Sequence, residues 1–194
     1  MDLHKEYRKY KWFFTKSGKL VIGGKSAEQN DFLLKKIKSQ NKDFIVMHTS
    51  SPGSPFSLIL ADKDKIKKSD LEETAIFTAS FSRAWKECKQ KANIDIFLSS
   101  SLTKSKSMKS GTWGVSEVLS RISVNLELAL VKQNGILRAV PPQTAKSNNV
   151  LLKIVPGKID KLEMLPKLTL ELGGSFSKEE ILSALPSGGI RIIK

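Results

Sequence analysis

The sequence predicts an α+β protein, with a mixed, largely antiparallel β-sheet carrying two main helices and a small C-terminal α/β appendage. Three observations carry this prediction. Short runs of β-branched and aromatic residues alternate with two longer runs of helical period, each opened by a capping pair. Glycine-bearing turns separate neighbouring strand-like runs by the few residues a hairpin needs. A stretch dense in Pro, Asn and Ser from 141 to 149 then breaks every period.

Lys11–Thr15 and Lys19–Gly23 read as strands joined by Lys16-Ser17-Gly18, where Gly18 permits a positive φ. Ser26 with Gln29 forms a capping pair. Phe32, Leu33, Leu34 and Ile37 then recur at helical spacing and leave Lys35, Lys36 and Lys38 to water, so a helix is expected from Ala27 to about Ser39. Asp43–His48 and Phe56–Leu60 read as strands across a turn-rich segment, the second of them buried. Ser69 with Glu72 opens the longest helical pattern, in which Leu71, Ala75, Phe77, Phe81, Ala84, Trp85 and Cys88 face inwards and which ends near Lys91.

After a strand at Asp95–Leu98, the segment Ser99–Thr112 is rich in Ser, Lys and Gly and has no period, so it is expected to be mobile or to need a ligand to order it. Ile122, Val124, Leu126, Leu128 and Leu130 alternate as one strand, which Asn134-Gly135 turns into Ile136–Val140. A main domain is therefore expected over 1–141 and a linker over 142–149. Residues 150–194 read as a β-α-α-β unit with a third capping pair, Ser177 and Glu180. A unit this short buries little surface alone and is expected to dock on the main domain.

The 194 residues include 40% apolar side chains, enough for a core without staples. One cysteine, Cys88, leaves no disulfide framework and no Cys-based zinc site within a chain. No apolar run is long enough to span a bilayer and the N-terminal residues lack a signal-peptide core, so a reducing, cytoplasmic setting with no membrane partner and no cofactor is expected. The net charge of +14 attracts polyanions, phosphate backbones first among them. It is uneven: residues 1–114 carry 22 basic and 12 acidic side chains, and residues 148–194 seven and five. Lysine outnumbers arginine 28 to five, which favours neutralising a backbone over reading bases.

Gly23-Gly24 ahead of a capped helix is open to two readings, a cradle for phosphate or a plain strand-to-helix turn; it is neither a Walker sequence nor a dinucleotide fingerprint. His48 lies near Ser50, Ser51 and Ser54, but no Gly-x-Ser-x-Gly elbow and no orienting acid accompany them, so a hydrogen-bonded loop histidine or an RNA contact is expected in place of a hydrolase. Trp85 is expected to pack inwards, Cys88 to be a small buried residue, and Trp113 to offer a face on which a base can stack.

Trp12-Phe-Phe-Thr, then Gly18-Lys-Leu-Val-Ile-Gly-Gly24, then Gln29-Asn30 resemble the opening of NFACT-R, the RNA-binding domain of the NFACT family. That family includes nuclear export mediator factor and the fibronectin-binding-protein-A-like factors of ribosome-associated quality control. His48, Gly53 and Ser54, the run Ser82-Arg-Ala-Trp85, and Lys104 with Ser110-Gly111 are similar to later family segments, so the resemblance runs from about Lys5 to Pro141 and leaves the C-terminal residues outside it. It implies a stand-alone domain that binds ribosomal RNA or tRNA, with the large ribosomal subunit as a partner. Ser50 and Pro52 replace an aspartate and a second histidine of archaeal-type members, and the family's basic stretch is thinned at Arg121–Glu127.

The expectation is a non-enzymatic RNA-binding protein linked to translation or ribosome-associated quality control. Its candidate contacts are Arg8, Lys9, Lys11, Lys16, Lys19 and Lys25 around the first hairpin; Lys63, Lys65, Lys67 and Lys68 before the long helix; Arg83 and Lys86 on that helix; and Lys104, Lys106 and Lys109 in the loop, with His48, Ser54 and Trp113 shaping the surface. Two alternatives stay open: an RNA-modifying or RNA-processing enzyme with its site around His48, and an adaptor that recruits a protein through 150–194.

Overall fold

The computed structural model of the chain describes residues 2–145 and 147–193. It contains a six-stranded sheet, a four-stranded sheet and a two-stranded ribbon, every recorded pairing being antiparallel. After a short helix α1 (Leu3–Glu6), the hairpin β1 (Lys11–Phe14) and β2 (Leu20–Gly23) leads to α2 (Ala27–Lys38). β3 (Ile45–Thr49), β4 (Ser57–Ile59), α3 (Lys68–Ser80), α4 (Arg83–Lys86) and β5 (Lys91–Leu98) follow. Then come β6 (Leu102–Thr103), β7 (Gly114–Val115) and β8 (Ser120–Asn125). β9 (Leu128–Gln133), β10 (Ile136–Val140), β11 (Leu152–Asp160), α5 (Lys161–Glu171), α6 (Lys178–Ala184) and β12 (Gly189–Ile193) complete the chain. The large sheet has the order β1-β2-β4-β3-β5-β8 and the smaller one β10-β9-β11-β12.

Alternation along the strands of the large sheet builds two cores. Trp12, Ile22, Val46, Leu58 and Phe97 point to the face covered by α2, where they meet Leu33, Leu34 and Ile37. Phe13, Val21, Met47 and Ile96 point the other way, against Phe77 and Trp85, and that cluster continues without a break into Leu128, Leu137, Leu168 and Ile181.

Four expectations need correction. The long helix stops at Ser80, because the Ser82 hydroxyl donates to the carbonyl of Ala79 at 2.6 Å and accepts from the amide of Ala84 at 3.1 Å, closing one helix and capping the next. Its start is capped by Asp70, which accepts from the Lys67 amide at 2.9 Å, and not by a Ser69–Glu72 pair. Lys91 begins a strand, and Cys88 is exposed at φ 55° with its thiol donating to the Gly157 carbonyl at 2.9 Å. The run expected as one strand through 122–130 is two: β8 pairs with β5, and after Leu126-Glu127 the chain crosses to the second sheet. A period of two is the same in either sheet, so the change of partner leaves no mark on the pattern.

The boundary expected at 141 falls inside the small sheet, since β11 pairs with β9 through Leu152 and Leu130, Lys153 and Ala129, and Ile154 and Leu128. The C-terminal residues do form β-α-α-β, but they extend the β9–β10 hairpin, whose turn at Asn134 and Gly135 has φ 50° and 78° as a type I′ turn requires. Within the expected linker, Thr144 is buried and donates to Glu73 at 2.7 Å.

The two sheets meet at the free edge of β1. Gln133 accepts from the Phe14 amide and donates to the Phe14 carbonyl, each at 2.8 Å, so its side chain pairs with the edge as a neighbouring strand would. Arg138 adds a bond from Nε to the Trp12 carbonyl at 3.1 Å and stacks its guanidinium 4.7 Å from the Trp12 ring. At the far end, buried Asp70 accepts from the Thr15 and Ser17 hydroxyls at 2.6 Å, and buried Glu73 accepts from the Lys16 amide at 2.9 Å. These bonds pin the β1–β2 turn to α3.

Gln133→Ala leaves both Phe14 groups without this partner and is expected to lower stability by about 2 kcal/mol, read as a lower urea midpoint. Burial raises the pKa of Glu73, the bonds from Thr144 and Lys16 only partly offsetting it. The native state therefore keeps this proton in a window where the unfolded chain has lost it, and stability falls as pH rises through that window. Relative to wild type, Glu73→Gln is expected to gain stability as pH rises above the ordinary carboxylate range of about pH 4, measured as the change in their difference in unfolding free energy.

Candidate nucleic-acid interface

Strand register decides which basic residues can act together. Lys11 lies opposite Gly23, Gly23 opposite Ser57, Met47 opposite Ser57 and Thr49 opposite Ile94. One end of the large sheet therefore carries Lys11, Lys25, the His48–Ser54 loop and Lys91, joined there by Arg83 and Lys86 at the C-terminal end of α3. Lys16, Lys19, Lys63, Lys65, Lys67 and Lys68 lie at the opposite end, by the β1–β2 turn and the start of α3. Arg8 and Lys9 sit on the outer edge of β1, where Tyr7 accepts from Asn134 at 3.0 Å. The expected contacts thus fall into separate groups, because the hairpin and the long helix each run the length of the sheet.

Pairing is partial at both ends of the sheet: among the described residues Lys16, Lys19, Lys63 and Lys67 at the far end enter no ion pair, and Lys89 at the near end pairs with Glu87 at 2.8 Å. At the far end Asp62 holds both Lys42 and Lys65 at 3.1 Å, and Lys68 lies 3.9 Å from Glu72. At the near end none of Lys11, Lys25, Arg83, Lys86 and Lys91 enters an ion pair among the described residues. Their charges remain available to a polyanion.

At this end the loop after β3 and the start of α4 enclose a cavity of about 420 Å³ lined by Thr49–Pro52, Ser82, Arg83, Glu87, Lys89, Lys91 and Asn93. Gly53, at φ 110°, lets the loop close on Arg83: a Cβ there would lie 3.1 Å from that of Arg83, whose amide donates to the Gly53 carbonyl at 2.7 Å. Ser54 accepts from the Thr49 amide at 3.0 Å, fixing the base of the loop. His48 is half-buried against Phe56, with ring centroids 4.4 Å apart, and burial lowers its pKa. Its Nδ1 lies 2.7 Å from the Thr49 carbonyl, so that nitrogen carries the proton and donates.

Sequence reasoning missed the sheet face beside this cavity. β5 and β8 expose Lys91, Asn93, Arg121, Ser123 and Asn125, the odd-numbered positions that α2 does not reach. Alternation was the signal that could have found them. Asp95 also lies on this face, opposite both His48 and Arg121. It accepts from Arg121 Nε at 2.6 Å and from the Ser50 hydroxyl at 2.7 Å, and these bonds hold its pKa below the usual carboxylate range against the cost of burial. An acid is thus present near His48, but it engages Arg121 and Ser50, while Nδ1 of His48 engages a carbonyl. No group of three or more His, Cys, Asp or Glu side chains that could hold a metal ion occurs among the described residues.

The glycine pair before α2 is a structural turn. Gln29 accepts from the Lys25 amide at 2.9 Å, Ser26 accepts from the Gln29 amide at 3.2 Å, and a Cβ on Gly24 would lie 2.3 Å from Oδ1 of Asn30. The chain's own side chains therefore take up amides that a phosphate cradle would present.

The loop expected to lack order is held in place. Half-buried Asp31 accepts from Lys104 at 3.1 Å, from Trp113 Nε1 at 2.7 Å and from Ser110 at 3.2 Å, and Lys104 also donates to the carbonyls of Lys109 and Thr112. Lys104 and Trp113 are built into the fold, while Lys106 and Lys109 stay exposed. The organising carboxylate comes from α2, so nothing in the loop's own sequence signals it.

The sequence pattern of the NFACT protein RNA binding domain matches residues 9–117. The chain is 31% identical over 205 aligned residues, covering 98% of it, to the archaeal Rqc2 homolog aRqcH of Methanocaldococcus jannaschii, and it spans 30% of that relative's length. This alignment takes in the C-terminal residues that the sequence resemblance left out. The C-terminal part of the fibronectin/fibrinogen-binding protein from Streptococcus suis shares the fold, with a TM-score of 0.50 over 60% of this chain and 44% of that one at 19% identity. Among the described residues no helix is long and apolar enough to cross a membrane.

Asp31→Ala strands the Lys104 ammonium and is expected to cost about 2–3 kcal/mol in urea unfolding, less than a fully buried pair because 15–17% of each side chain reaches water. Lys106→Ala and Lys109→Ala are expected to stay within about 0.5 kcal/mol of wild type.

Proposed function

The chain belongs to the NFACT RNA-binding domain family, and from this premise we propose that it binds structured RNA, without catalysis, through the end of the large sheet that holds Lys25, Arg83, Lys86 and Lys91. The observation that carries this reading is that Arg83 and Lys91, neither in an ion pair among the described residues, line the polar cavity of the His48–Ser54 loop beside Lys89, which pairs with Glu87. Lysine and arginine there contact phosphates, and the exposed face of β5 and β8 beside them gives hydroxyl and amide groups for sugars or unpaired bases. The RNA is ribosomal RNA or tRNA on the ribosome, and the process is ribosome-associated quality control; the similarity to an Rqc2 homolog supports this target. Lys106, Lys109 and the far-end lysines act as a diffuse positive field that steers the approach. Asp95 engages Arg121 and Ser50 while Nδ1 of His48 engages a carbonyl, so the two do not form the acid–imidazole pair of a hydrolase.

With about six phosphates neutralised, affinity for ribosomes or total RNA is expected to fall roughly a thousandfold between about 50 and 200 mM salt. Arg83→Glu with Lys91→Glu is expected to weaken binding at least about tenfold and to reduce the salt slope by about two, whereas Lys63→Glu with Lys65→Glu changes both much less. Filter binding at several salt concentrations reads both quantities. Equal losses in the two pairs, or binding insensitive to salt, would refute the assignment.

A further inference from the structure

Four cations converge where the two sheets join. Lys11 leaves β1 with its ammonium 4.5 Å from the centre of the Phe81 ring. Arg138 of β10 is only 7% exposed, yet one guanidinium nitrogen is used on the Trp12 carbonyl and no carboxylate pairs with the group among the described residues. Lys25 follows two residues after Gly23, which lies opposite Lys11. Lys161 opens α5, where its ammonium donates to the Leu182 carbonyl at 3.4 Å and its charge acts on that of Lys11. Burial and the charges of Lys161, Arg138 and Lys25 push the Lys11 ammonium down to about 8, and burial lowers Arg138 to about 10.

Arg138 is buried, Lys11 and Lys161 are half-buried and Lys25 is exposed, and like charges brought together are costly where water reaches them least unless an anion compensates them. Arg138 seals the Trp12 carbonyl, but Lys11 enters no ion pair among the described residues, and an aliphatic side chain of similar length would pack on Phe81 at lower cost. A planar guanidinium held by stacking, whose outer nitrogens have no hydrogen-bond partner among the described residues, suits the oxygens of a phosphate, and ammonium groups nearby suit its remaining charge. Trp12 has a double role here, since its ring and its carbonyl fix the guanidinium.

We propose that Lys11, Lys25, Arg138 and Lys161 form a phosphate site at the junction of the two sheets, which one backbone phosphate of the bound RNA occupies. This rests on the RNA-binding reading and adds to it that the C-terminal part of the chain takes part in binding through Lys161 and, with the hairpin, Arg138. Occupancy ties α5 and β10 to β1, so bound RNA stabilises the joint between the sheets.

The test measures thermal unfolding at pH 7 in sodium phosphate and in sodium chloride of equal ionic strength, for wild type, Lys11→Met and Lys161→Gln, alongside RNA affinity for the same proteins. Phosphate is expected to raise the wild-type midpoint above that in chloride, and both variants to lose most of that increment. In chloride Lys11→Met is expected to unfold at a higher temperature than wild type, the sign of a residue kept for binding at a cost to stability. Lys161→Gln, at the rim of the cluster, keeps the fold intact and is expected to lower the RNA salt slope by about one. Equal midpoints in phosphate and chloride for wild type, or an increment unchanged in both variants, would overturn the site. An increment lost in the variants with RNA affinity untouched would overturn its occupation by RNA. Wild-type protein that gains the increment but does not bind RNA would refute the earlier reading and leave an oxyanion site.

Discussion

The molecule depends on how the open edge of β1 is closed. A strand with unpaired amides and carbonyls invites another strand, and here side chains take that role: Gln133 pairs with both polar groups of Phe14, and Arg138 covers the Trp12 carbonyl. Because side chains make the closure, β10 can approach β1 without being in register with it. The two sheets share a core through α3 and α4 while keeping separate ladders. The same closure brings Arg138 beside Lys11, so the electrostatics of the junction follow from the way the edge is sealed.

Much of what resembles the family is scaffolding. Gly24 makes room for Asn30, and Gln29 completes the cap of α2. Ser82 splits two helices so that Trp85 can reach the Gly189 carbonyl at 3.0 Å and fasten the C-terminal sheet. Gly53 and Ser54 shape the loop over Arg83. These residues set backbone geometry, and the cations between them meet the solvent. That division explains how a motif search finds the family while giving little account of where a ligand lies.

The parts of the fold legible in the sequence were those coded locally. Both hairpins, the Ser26 cap with α2, and the C-terminal β-α-α-β order followed from turn residues and periods of two or 3.6. Illegible were features that depend on a partner far along the chain. The order of the 104–113 loop comes from Asp31, the split of the 122–130 run comes from a change of sheet, and the end of the long helix comes from one serine hydroxyl. For the candidate interface, composition gave the class of partner and the half of the chain that carries most charge. It could not show that Lys16 and Lys19 lie at one end of the sheet and Lys11 and Lys25 at the other, since that depends on register. Arg121, Asn93 and Arg138 were passed over because a single polar residue in a strand carries no signal until its neighbours across the sheet are known.

β9 is an interior strand, with β10 on one side and β11 on the other. Severing the chain in the proline-rich stretch after β10, where composition suggests a natural seam, would leave Leu128 and Leu130 beside an unpaired ladder and strip Leu137 and Ala139 of the helices that shield them. Such a fragment would present sticky hydrogen-bonding groups flanked by grease, the combination that drives chains to associate. A dissection of the protein is therefore better made by point substitution than by truncation.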